Sequence, residues 1–158
     1  IGFPISTRTQ ELRSKENAFG CMVADAMLCA CRPYGCDGAV INGGFIRQDR
    51  LYPANSGLTA QQVKEEMPFP KHPAVIRLSG EELLRGLEES IAMTPTPAGC
   101  FPHLSEGMAM KFDPRAPPLK RIRSLEVGGH AVEMGREYLI AINSLFNEIP
   151  ADGIEMFH

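Results

Sequence analysis

Apolar residues in this chain change their spacing part-way along it, and that change restricts the possible folds more than any other feature. Between Ala18 and Cys31, Phe19, Met22, Val23, Ala26, Met27 and Ala30 recur three and four apart, as one helical face demands, so the spacing predicts a core-facing helix. Ser79 and Glu82 stand at capping-box spacing ahead of Leu83, Leu84, Leu87 and Ile91, which marks the buried side of a second helix. Thr59 and Gln62 repeat the cap and start a short helix through Val63. It must stop near Met67, because Pro68 disfavours helical geometry in the residue before it. Beyond residue 100 the period shortens: 108–112, 122–127 and 138–142 alternate or run apolar as strands do, with Gly128-Gly129 reading as a hairpin turn. Two further strands are expected at 39–41 and 74–78. Helices dominate the first half and strands the second, with no repeat and no linker between them. The expectation is a single α+β domain over 1–158, a mixed β-sheet flanked by helices.

A chain of 158 residues is long enough to bury about two-thirds of its unfolded surface around one core. Sixteen Lys and Arg against nineteen Asp and Glu leave a net charge of −3, so no overall field draws it to nucleic acid or an anionic membrane. The longest mostly apolar stretch, 18–31, is interrupted by Asp25 and falls short of the roughly 20 residues that span a bilayer. The chain begins at Ile1 with no basic region followed by an apolar run, and it reads as part of something longer.

Most residues able to carry chemistry have a plain structural account. Cys29 and Cys31 are separated by a single residue and no second Cys or His pair follows Cys36, so zinc spacing is not met. With Cys21 and Cys100 the cysteines number five, too sparse for a disulfide scaffold. His72, His103, His130 and His158 fall in expected loops and at the terminus, and read as surface residues. Gly43-Gly44 lacks the Lys-Ser/Thr of a phosphate loop. One constellation stands apart: Asn42-Gly43-Gly44-Phe45-Ile46-Arg47, directly after an expected buried strand. Its glycines either let a ligand approach the main chain or simply make a turn, while Asn42 offers both donors and an acceptor and Arg47 a planar cation suited to anionic oxygens.

That block belongs to an ordered series: Glu16, Gly20, Asp25-Ala26-Met27, Asn42 to Arg47, Met67-Pro68-Phe69, Leu78-Ser79-Gly80-Glu81-Glu82-Leu83, Leu87-Glu88-Glu89-Ser90, Gly99-Cys100-Phe101 and Asp152-Gly153. The series resembles the C-terminal domain of the 5′-nucleotidase and UDP-sugar hydrolase family over nearly the whole chain. The resemblance implies a domain that binds the nucleoside part of a substrate, stacking the base between two aromatic rings, at positions matching Phe69 and Phe146. It implies a ribose and phosphate clamp at Lys15, Asn42, Gly43, Gly44, Arg47 and Asp152. Hydrolysis is then expected at a two-metal centre in a separate N-terminal metallophosphoesterase domain whose motifs this chain lacks, so the chain itself is expected to bind rather than hydrolyse, with no metal or other cofactor of its own. The family setting implies a periplasmic, secreted or cell-surface protein. The alternative is a family-derived domain that serves as a non-catalytic structural or protein-binding module.

Three departures from the family pattern matter. Lys15 stands where an Arg is common, with Arg13 as a substitute nearby. Pro150-Ala151 replaces a Gly-Gly before Asp152. Phe45 replaces the third glycine of the block, either narrowing the pocket or adding a ring to it.

Overall fold

The computed structural model describes residues 2–69 and 72–143. Its elements in chain order are β1 (Ile5–Ser6), α1 (Thr9–Leu12), α2 (Ala18–Cys31), β2 (Gly38–Asn42), β3 (Leu51–Tyr52), α3 (Ala60–Glu66), β4 (Pro73–Ser79), α4 (Gly80–Ser90), β5 (Pro102–Leu104), β6 (Met108–Phe112), β7 (Ile122–Val127), β8 (His130–Ala131) and β9 (Glu137–Asn143). Single 3-10 turns follow α2 at Arg32–Tyr34 and β2 at Gly43–Phe45.

The architecture is the expected α+β arrangement, organised by a four-stranded sheet in the order β4-β9-β2-β5. β2 runs parallel to β9, with Ala39 opposite Ala141, and the outer pairs are antiparallel, so the sheet is mixed. The middle stretches of the central strands, 39–41 and 139–142, are apolar because both faces are covered there. Val40, Ile140 and Ile142 point into a core shared with Leu83 and Leu87 of α4 and Leu125 and Val127 of β7. Ala39, Ile41 and Ala141 point the other way, to the side carrying α2. A separate antiparallel sheet, β6-β7-β8, completes the α4 side, and its last turn is Gly128-Gly129 with φ of 62° and 76°. Positive φ at both central residues is what a two-residue hairpin of matching twist demands, and glycine meets it without strain.

Both capping boxes form as the sequence requires, Thr59 with Gln62 and Ser79 with Glu82, each closing reciprocally. α3 ends at Glu66, just ahead of the Met67-Pro68 stop. α2 starts at the Asn17 side chain, whose Oδ1 accepts from the amides of Phe19 at 2.9 Å and Gly20 at 3.3 Å.

Two expectations need correction. The buried face of α2 is Phe19, Gly20, Val23, Ala24, Leu28 and Cys31; Met22, Ala26 and Ala30 are exposed. Gly20 belongs to the buried face because a Cβ there would collide with the His103 ring, so the stripe is set by close approach and turns by about one residue from the apolar count. The second correction concerns His103, which lies in β5 at 1% exposure rather than on a surface loop. Pro102 is tolerated there because β5 is the sheet edge beside β2.

Candidate functional site

Strand β2 leaves the sheet at Asn42 and enters the turn Gly43–Phe45, which docks on the loop before β5. The Gly43 amide donates to the Phe101 carbonyl at 2.8 Å and the Gly44 amide to the Gly99 carbonyl at 2.8 Å. Asn42 Nδ2 donates to the same Gly99 oxygen at 2.8 Å, and Asn42 Oδ1 accepts from Asn143 Nδ2 at 3.0 Å. A Cβ on Gly43 would run into the main-chain carbonyl of Leu12, and one on Gly44 would crowd that of Gly99. The two glycines therefore let three stretches of protein backbone meet.

The same turn fixes Arg47. Its amide donates to the Glu66 carbonyl at 2.9 Å and its Nη1 to the Gly44 carbonyl at 3.1 Å. The exposed guanidinium lies over the half-buried ring of Phe69, with Cζ 5.7 Å from the ring centroid. Phe45, buried beneath, packs against Phe69 with centroids 5.5 Å apart and planes tilted by 40°. A flat apolar face and a cation thus share one patch, the combination that suits a ligand with an aromatic end and an anionic end.

The α1 side contributes next. His103 Nε2 donates to the Leu12 carbonyl at 2.9 Å, beneath Gly43, and Arg13 accepts the Ala98 amide at 2.9 Å through its carbonyl. Arg13 Nε is buried with no partner among the described residues. Lys15 is exposed after α1, its Nζ 3.9 Å from Glu11. Burial pushes the His103 pKa down to about 4, against a smaller opposing effect of the Leu12 carbonyl, so the ring is neutral at physiological pH. Burial and the neighbouring Cys31 push the Cys36 thiol up to about 11, which keeps it protonated. Among the described residues no group of three or more His, Cys, Asp or Glu side chains could hold a metal ion. No described helix is long and apolar enough to cross a membrane.

Of the residues singled out from sequence, Asn42, Gly43, Gly44, Arg47 and Phe69 are brought together, and Lys15 follows the helix that abuts Gly43. Phe146 and Asp152 lie outside the described residues. Sequence reasoning missed Glu66, Asn143 and His103, which hold this patch from below. The sequence offered no strand signal for His103, because Pro102 beside it speaks against one.

A family model described as "5'-nucleotidase, C-terminal domain" matches residues 3–158. Among solved structures, a 5′-nucleotidase precursor from Thermus thermophilus is similar at a TM-score of 0.83 and 26% identity, over 93% of this chain and 29% of that one. The NAD nucleotidase of Haemophilus influenzae shares the fold at a TM-score of 0.76 and 19% identity, over 99% of this chain and 29% of its own. Among curated proteins, the trifunctional nucleotide phosphoesterase protein YfkN of Bacillus subtilis (strain 168) is 27% identical over 154 residues, 94% of this chain and 10% of YfkN. The chain thus spans less than a third of each of these relatives.

Proposed function

We propose that this chain, which belongs to the 5′-nucleotidase C-terminal domain family, is the nucleotide-recognition domain of a phosphoester hydrolase. The observation that carries the reading is the shared patch of Phe69 and Arg47, set beside a glycine turn whose own polar groups are already satisfied by protein. The Phe69 face stacks on the base, with an expected gain on the order of 1–3 kcal/mol as measured for bases on aromatic side chains. Arg47 meets phosphate oxygens at two points, and Lys15 adds a point charge at the phosphate end. The second amide proton of Asn42 Nδ2, left over after the bond to Gly99, donates to the ribose or base. Phe146 as the opposing ring and Asp152 as acceptor for ribose hydroxyls complete the assignment.

Hydrolysis belongs to a separate N-terminal metallophosphoesterase domain of the same protein. Its divalent metal pair would activate water and stabilise charge on the leaving oxygen. No step of that chemistry is assigned to this chain, whose described residues offer no ligand set. The relatives named as a precursor and as nucleotidases support a periplasmic, secreted or cell-surface setting and a nucleoside or nucleotide substrate.

Titration of the purified chain with AMP, adenosine and inorganic phosphate tests the reading. AMP should bind saturably and more tightly than either fragment. A folded chain that binds none of the three contradicts it and favours the structural-module alternative.

A further inference from the structure

We propose that the buried carboxylate of Glu66 is a positioning residue that holds Arg47 and Phe69 in register, an inference that rests on the nucleotide-binding reading above. Glu66 is fully buried, yet among the described residues its carboxylate has no ion-pair partner. Three neutral donors take the place of a cation. Oε1 accepts from Tyr52 Oη at 2.7 Å and Thr7 Oγ1 at 2.9 Å, and Oε2 accepts from the Gln48 amide at 3.2 Å. A buried carboxylate is tolerated only when its lone pairs are satisfied in this way.

The donors come from segments distant in sequence: the residue after β1, strand β3, and the residue after Arg47. The Glu66 main-chain carbonyl receives the Arg47 amide, and Gln48 Nε2 reaches the Glu65 carbonyl at 2.8 Å. Residues 47 and 48 are therefore fastened to the last turn of α3 by three hydrogen bonds, two of them on Glu66. Phe69 leaves that same turn three residues later, with Pro68 limiting the path between. Arg47 and Phe69 thus hang from one residue. Neighbouring Glu65 plays a different part: it is partly exposed and pairs with Arg50 at 2.8 Å.

The two carboxylate oxygens have separable duties, and that makes the inference testable. Glu66→Gln can keep the oxygen facing Tyr52 and Thr7, but it then sets an NH2 donor against the Gln48 N–H. Tyr52→Phe removes one donor from Oε1 and leaves the Gln48 contact intact. If Glu66 only supports the fold, both variants lower Tm and neither affects the patch selectively. If it positions the patch, Tyr52→Phe lowers Tm with AMP affinity kept within about twofold, whereas Glu66→Gln weakens AMP about tenfold or more. NMR of the chain without nucleotide gives a second readout, since the Arg47 side-chain resonances should carry a ring-current shift from Phe69. That shift should persist in Tyr52→Phe and collapse in Glu66→Gln. Equal responses of the two variants, in affinity and in ring-current shift, overturn the proposal. If AMP fails to bind the wild-type chain while the ring-current shift behaves as described, the nucleotide reading falls and the positioning role stands. Should Glu66→Gln not fold, amide exchange in the wild-type chain decides: the Arg47 and Gln48 amides should be protected to the level of α3, and solvent-like exchange at either overturns the proposal.

Discussion

The guanidinium carbon of Arg47 stands 5.7 Å from the centre of the Phe69 ring, so a cation and an apolar face that are 22 positions apart in sequence form one surface. Phe69 is half-buried while Phe45 behind it is buried, and the two rings should separate binding from stability. Phe69→Ala is expected to weaken AMP by a factor corresponding to about 1–3 kcal/mol with a smaller loss of Tm. Phe45→Ala should cost about 3–5 kcal/mol of stability, read by denaturant unfolding.

Arg47 touches its own backbone turn and an aromatic face, and its guanidinium is exposed. Replacing it with Lys keeps the charge and removes the two-point fork. Arg47→Lys should therefore weaken AMP several-fold while leaving adenosine affinity unchanged, as calorimetric titration of both ligands would show. Equal losses for the two ligands would place Arg47 away from the phosphate.

Gly43 has no room for a side chain because the Leu12 carbonyl occupies the space, whereas nothing lies within 4 Å of the Cβ position of Gly57. Gly43→Ala should destabilise the chain by about 1–3 kcal/mol, the usual cost of overpacking against fixed neighbours. Gly57→Ala should leave Tm within about a degree. Paired thermal melts check both.

His103 makes stability depend on pH. Its folded pKa of about 4 lies below the ordinary value of 6.5, so between these limits the unfolded chain binds the proton more readily. The stabilisation is complete above about pH 6.5 and is lost progressively as pH falls toward 4, by roughly 3 kcal/mol in total. His103→Gln, which keeps a donor for the Leu12 carbonyl, should flatten this part of the profile, measured as the wild-type minus variant difference in unfolding free energy against pH. A difference independent of pH between 4 and 6.5 would show that the ring is not buried neutral.

The elements legible in the sequence are those whose signals are local. The two capping boxes, the Met67-Pro68 stop and the Gly128-Gly129 turn are each written within four residues, and each forms where expected. The face of α2 was legible only approximately, because Gly20 is buried by the close approach of His103 and carries no apolar signal itself. β1, β3 and β5 are two or three residues long, too short for alternation to register, and Pro102 spoke against a strand. The glycine block stood out as a motif, but its close packing on Leu12 and Gly99 was not legible, because no local pattern connects those residues to it. Glu66 was illegible for the same reason: a glutamate in the last turn of a polar helix reads as solvated, and only the meeting of Thr7, Gln48 and Tyr52 around it reveals otherwise.

The most direct test is the NMR spectrum of the Phe69 ring in the purified chain as AMP is added. The account predicts saturable shifts of the Phe69 ring protons, accompanied by the Arg47 side chain and reversed when AMP is removed by dialysis. A well-dispersed spectrum in which saturating AMP moves neither residue would contradict it.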